Sequence, residues 1–178
     1  MIRLAIAAAL ATAFVAVGVA AAAGTTDVFR YRTTLGAKAE VPKPKAPAGA
    51  AGLFTATVAK NGSAYSLSWK LTFRKLSGPA VAAHVHRGKA GVPGGVIVAL
   101  CGPCRSGRTG KARITKAAAE AMRRGQAYVN VHTARNAAGE IRGQVKLTGT
   151  VLGRPATPPA TEPPPPPPTE PTDPPPGY

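Results

Sequence analysis

The chain has 178 residues, of which 23 are Lys or Arg and 7 are Asp or Glu, for a net charge of +16 at neutral pH. That length accommodates one ordinary domain once terminal segments are set aside, with no room for a second. Outside a Pro-rich C-terminus the only acids are Asp27, Glu40, Glu120 and Glu140, too few to argue for a paired-carboxylate hydrolase or a Ser-His-Asp set, so the composition points to a binding protein rather than an enzyme.

Met1-Ile2-Arg3 gives a positive start, and Leu4 to Ala23 is an apolar, Ala-rich run ending in small residues before Gly24. Residues 1–23 therefore read as a signal peptide, and the chain as exported, periplasmic or secreted. The run is long enough to span a bilayer if it is not cleaved, which would be the protein's only link to a membrane. Export puts Cys101 and Cys104 in an oxidising compartment, where they are expected to form a disulfide.

Val28 to Arg32 opens as a strand, and Glu40 to Gly49 carries Pro42, Pro44, Pro47 and Gly49 as a loop. A strand over Leu53 to Lys60 meets Asn61-Gly62, the residue pair that accepts a tight hairpin turn. Tyr65 to Phe73 alternates apolar and polar without a break, the signature of a strand with one buried face. Further strands are expected at Val81 to His86, Val96 to Leu100, Tyr128 to Thr133 and Ile141 to Leu147. Arg105 to Gly110 reads as loop. One helix is expected from a Thr115 cap through Arg124, closed by Gly125.

Many short strands with one connecting helix indicate an all-β fold, an antiparallel two-layer β-sandwich or a flattened Greek-key barrel, over residues 24–154. Its predicted core is Tyr65, Leu67, Trp69, Leu71, Phe73, Val81, Val85, Val129, Val131, Ile141 and Val145. From Pro155 to residue 178 the chain is Pro, Thr and acid, with six consecutive prolines from Pro163 to Pro168, and reads as a disordered or polyproline II tail. Because Glu162, Glu170 and Asp173 lie in that tail, the domain itself is more basic than the whole chain. Such a charge favours an anionic cell-surface component or an extracytoplasmic protein as partner, with no feature for specific nucleic-acid recognition.

The three histidines all fall in predicted strands. With Val81, Ala83 and Val85 facing inward, His84 and His86 share the outer face, and the same alternation turns His132 outward with Asn130. Ile141 and Val145 likewise place Glu140 and Arg142 on the outer face of the last strand. If these strands neighbour one another, three imidazoles converge in a pattern that suits copper or zinc, with Glu140, Arg142 and Asn130 in support. The alternative is that His84 and His86 hydrogen-bond carbonyls of Arg87 to Gly91, and His132 those of Asn136 to Gly139. Cys101-Gly102-Pro103-Cys104 spells a thioredoxin-type tetrapeptide, but loop rather than helix follows it, and a disulfide stapling a loop is the reading adopted.

Four blocks carry a family resemblance: Glu40-Val41-Pro42; Ala83-His84-Val85-His86-Arg87-Gly88 with Gly91; Tyr128-Val129-Asn130-Val131-His132-Thr133 with Asn136; and Gly139-Glu140-Ile141-Arg142-Gly143-Gln144-Val145. From about Phe29 to Leu147 the chain resembles the CHRD domain, found in animals in chordin, an extracellular antagonist of bone morphogenetic proteins, and in bacteria as single exported domains. The resemblance implies a fold and a compartment rather than an activity. A weaker likeness reaches copper/zinc superoxide dismutases: it sets His84 and His86 as paired copper ligands, His132 as a third, and Arg142 as an anion-guiding Arg. This chain lacks that family's bridging His and zinc cluster. The sequence thus implies an exported binding module for an anionic surface, polymer or protein, or alternatively a copper-binding or copper-dependent redox protein.

Overall fold

The structure is a computed structural model that describes residues 25–153. The signal segment and the Pro-rich tail lie outside the described residues. Nine strands run β1 (Thr26–Gly36), β2 (Ala51–Asn61), β3 (Ala64–Arg74), β4 (Ala80–Arg87), β5 (Val96–Cys101), β6 (Arg108–Ile114), β7 (Ala127–Thr133), β8 (Asn136–Gln144) and β9 (Leu147–Val151). One helix, α1 (Lys116–Arg123), joins β6 to β7. The strands form a single antiparallel sheet in the order β5-β4-β7-β8-β1-β2-β3-β6, with β9 added alongside β1. The sheet curls into a nearly closed barrel, the second of the two predicted architectures.

The long meander β1-β2-β3 follows from alternation and one turn. Asn61 pairs with Ala64, and Gly62 sits at φ +56°, a conformation that favours residues without a Cβ. Phe54, Val58, Leu67 and Leu71 point into the barrel and are fully buried, and Trp69 joins them. Helix α1 starts where the Thr115 hydroxyl accepts the Ala118 N–H, and Gly125 follows at φ +66°. Its Ala118, Ala119, Ala121 and Met122 are buried in the core.

Eight of the eleven predicted core residues are buried. Tyr65 and Phe73, at the two ends of β3, are only partly covered, and Val81 is 46% exposed. The Val81 expectation fails because the β4–β7 ladder has a bulge between Ala80 and Ala82. One extra residue reverses the facing, so Ala80 is buried in place of Val81.

Two strands escaped the sequence reading. β6 begins at Arg108, inside the segment Arg105 to Gly110 read as loop, and is missed because its inward positions Gly110 and Ala112 are small and leave Ile114 alone to give an apolar signal. Gly110 is required there: a Cβ would stand 2.5 Å from the Trp69 indole. β9 starts at Leu147, read as the end of the previous strand, and continues to Val151; it is mostly exposed and pairs with β1 alone. Cys101 and Cys104 form a disulfide with Cα atoms 5.3 Å apart, and the Cys104 N–H donates to the Ala80 carbonyl at 3.0 Å, fastening the loop to β4.

Candidate functional site

β4, β7 and β8 are neighbours, so the assumption behind the histidine argument is met. Ladder register sets His84 opposite Asn130 and Asn130 opposite Arg142, with Ala82 opposite His132 and His86 opposite Tyr128. Inward from these stand Val85, Val129, Val131 and Ile141, all fully buried. The three imidazoles occupy the outer side of the barrel wall, as period-two alternation requires.

One nitrogen from each of His84, His86 and His132 lies within 4.8 Å of the other two. His84 Nδ1 is 3.2 Å from His132 Nε2. His132 Nδ1 faces the Ala137 carbonyl at 2.9 Å, and His86 Nδ1 faces the Gly94 carbonyl at 2.8 Å. A carbonyl only accepts, so both Nδ1 atoms carry the proton and both Nε2 atoms present lone pairs. His84 Nδ1–H is then the donor to His132 Nε2. His86 Nε2 is buried and has no partner. The three rings thus converge, while of the loop-carbonyl alternative only the His132 part is met, at Ala137: His86 bonds Gly94, beyond the expected Arg87 to Gly91, and His84 bonds His132 rather than a carbonyl.

The face is not wet, contrary to the outer-face reading. His86 and His132 are 9% exposed, Arg142 2% and Asn130 1%, while His84 is partly open. The cover is the β4–β5 loop. Arg142 Nη2 donates to the Lys89 and Val92 carbonyls at 3.0 and 2.9 Å, and Gln144 Nε2 donates to the Gly88 carbonyl at 2.8 Å. Tyr128 lies under the same loop: its hydroxyl accepts the Gly94 N–H at 3.1 Å, and its ring stacks on His86 at 5.0 Å between centroids. The Arg142 guanidinium sits 3.4 Å from the centre of that ring, a cation–π contact made away from solvent.

Burial lowers the pKa of His84, and the neighbouring His132 and His86 push it further the same way. Burial also lowers that of His86, with the hydrogen bond to Gly94 opposing and His132 adding to the fall. Both rings are therefore neutral at neutral pH, the form a metal ion requires.

The profile of the CHRD domain matches residues 31–145, about the span of the resemblance and well over half of the chain. The chain belongs to the CHRD domain family. Comparison with curated proteins gave no match, and comparison with solved structures gave none either.

The landmarks of this CHRD domain fall on two adjoining clusters. Around the histidines stand Asn130, Arg142 and one acid the sequence reading did not place there, Glu40. Its Oε1 accepts the Val41 N–H at 3.0 Å. A Cβ on Gly139, which has φ +133°, would strike the Glu40 carboxylate and lie 2.8 Å from Asn130 Nδ2. Burial raises the Glu40 pKa, against the pull of the Val41 N–H, Arg142 and Asn130. Glu40 and Arg142 are thus both buried beside Asn130. The only sequence signal for Glu40 was its place in a family landmark.

Glu140 departs from expectation. The β7–β8 ladder slips between Val131 and Thr133. The Glu140 carboxylate takes all its hydrogen bonds from Ser77, Thr133 and Asn136 rather than supporting the imidazoles. Burial acts to raise its pKa, but hydrogen bonds from the Ser77 and Thr133 hydroxyls, the Ser77 N–H and the Asn136 amide outweigh it and lower the value. In this CHRD domain Glu140 braces the β7–β8 hairpin, whose Ala137 carbonyl orients His132.

Proposed function

We propose that the chain is an exported CHRD module that holds copper(II) on His84, His86 and His132. The observation that carries this reading is the convergence of three imidazoles within 4.8 Å, with Nδ1 of His86 and of His132 pinned to carbonyls and His86 Nε2 buried without a partner. Second-sphere hydrogen bonds of that kind fix the tautomer and orientation of metal-binding imidazoles. The 3.2 Å between His84 Nδ1 and His132 Nε2 lies between the ~2.9 Å of cis nitrogens on a square-planar ion and the ~3.3 Å of a tetrahedral one, both bound at ~2.0–2.1 Å, and binding there would move the His84 proton from Nδ1 to Nε2. His84, the most open of the three rings, has room to adjust. Copper(II) is favoured over zinc because an all-imidazole site without thiolate follows the first-row affinity order, which peaks at copper. Three protein ligands leave a coordination position for water or another ligand. The signal-like start of the chain supports delivery outside the cytoplasm, where a disulfide is also at home.

Calorimetric titration of the metal-free full-length mature protein with copper(II) tests the reading, with nitrogen hyperfine structure in the copper EPR spectrum as a second readout. One equivalent should bind at micromolar concentration or tighter. His86→Ala and His132→Ala should each weaken binding by about tenfold or more, a loss of ~1.4 kcal/mol. No binding, or a silent His132→Ala change, would remove the site. Zinc binding more tightly than copper would keep the site and change the ion.

A further inference from the structure

The strands that do not carry the imidazoles form a second surface. On the outside of the barrel, β1, β2, β3 and β6 line a groove of about 600 Å³. Register sets its chemistry row by row: Arg30, Thr57, Ser68 and Lys111 are cross-strand neighbours, and Arg32, Thr55, Lys70 and Thr109 form the next row. Two cations on β1 thus face Lys70 and Lys111 across a floor of hydroxyls. Within β1 the two Arg positions are ~6.8 Å apart, and β1 stands ~14 Å from β6 across three inter-strand steps.

These charges are uncompensated among the described residues. The ion pairs there are Lys60–Asp27, Lys116–Glu120 and Arg124–Glu120, none of which involves a groove cation. Glu40 and Glu140 are buried on the other side of the sheet order, beside β8 and β7. Arg30, Arg32, Lys70 and Lys111 are all exposed. Their mutual repulsion in the free protein is a standing cost, and a multivalent anion relieves it.

We propose that this groove binds a chain of an acidic polysaccharide, its carboxylates or sulfates held by Arg30, Arg32, Lys70 and Lys111 and its hydroxyls by Thr55, Thr57, Ser68 and Thr109. Three observations favour a glycan over other polyanions. The floor carries the hydroxyls of Thr55, Thr57, Ser68 and Thr109, which both donate and accept as sugar hydroxyls do. Trp69 and Tyr31 under the floor are buried, at 6% and 2% exposure, so no aromatic face is offered for nucleobase stacking. None of the exposed large apolar side chains lines the groove, so it lacks the inserting residues that anchor a protein in a bilayer interface. No groove residue belongs to the imidazole site, so the two proposals stand or fall separately.

The test is binding of the full-length mature protein to a short oligogalacturonate, with its methyl ester, oligothymidylate and phosphatidylglycerol vesicles as comparison ligands. The acid should bind, weaken steeply as salt rises, and lose binding on esterification. Arg30→Gln with Lys111→Gln should weaken it by about tenfold, from the loss of two exposed charge contacts. Arg32→Gln with Lys70→Gln should do the same, so that a folding defect in one pair does not decide the matter. Lys38→Gln with Arg135→Gln, which removes the same charge elsewhere on the surface, should change binding less than twofold. Equal losses for the groove and control pairs would reduce the effect to diffuse charge and overturn the proposal. So would undiminished binding of the methyl ester, or tighter binding of oligothymidylate or of the vesicles.

Discussion

Replacing Glu140 by Gln is a sharp test of how the hairpin under the candidate metal site is held. The side chain is fully buried, and its carboxylate accepts four hydrogen bonds: Oε1 from the Ser77 N–H at 2.6 Å, and Oε2 from the Ser77 hydroxyl and the Thr133 hydroxyl at 2.6 Å and the Asn136 amide at 2.9 Å. Gln has the same shape but only one accepting oxygen. If that oxygen takes the three-donor side, its NH2 group confronts the Ser77 N–H, and one charge-assisted bond becomes a buried donor–donor contact. The other orientation sets the NH2 against the Asn136 amide and two hydroxyls. Each charge-assisted bond contributes roughly 1.5–3 kcal/mol, so the better orientation still costs ~3 kcal/mol once the stranded donor is included. For a domain of this size that is a fall in Tm of roughly 10 °C.

The effect must depend on pH in one direction. The folded-state pKa of Glu140 is lowered, so its contribution is present above the ordinary carboxylate pKa and is lost as pH falls through the folded value. The gap between wild type and Glu140→Gln should therefore be widest near neutral pH and close on acidification. Calorimetric melting of the metal-free protein across pH measures it. A variant melting within ~2 °C of wild type at neutral pH, or a gap that does not narrow in acid, would refute the claim that this carboxylate is charged and braces the hairpin.

Two further substitutions probe the conformation around the site and the facing of β4. Gly139→Ala sets a methyl against the Glu40 carboxylate and Asn130 at φ +133°, and should lower stability by ~3 kcal/mol in urea denaturation; a loss below ~1 kcal/mol would mean Glu40 is free to move aside. Val81→Thr should change stability by no more than ~0.5 kcal/mol, whereas Val85→Thr, at a fully buried position, should cost ~2 kcal/mol or more, and equal effects would contradict the bulge between Ala80 and Ala82.

What the sequence determined by itself was local and periodic. Unbroken alternation over Tyr65 to Phe73 specified a strand with Leu67, Trp69 and Leu71 inside, and Asn61-Gly62 specified its hairpin, because side chains on a pleated strand change face every residue whatever the rest of the chain does. The same periodicity turned His84, His86, His132 and Arg142 to the outer side of the barrel wall. Tertiary structure decided everything that needed one segment to know about another. Adjacency of β4, β7 and β8 brought the imidazoles together, and bulges, which shift register by contacts between strands, exposed Val81 and carried Glu140 to Ser77 and Thr133. The β4–β5 loop, fastened by Arg142, Tyr128 and Gln144, made a nominally outer face dry, and Glu40 reached it from ninety residues earlier than Asn130. Alternation is a property of the backbone within a few residues. Burial on the outer side of a sheet depends on which distant loop folds over it, and single-strand periodicity carries no record of that.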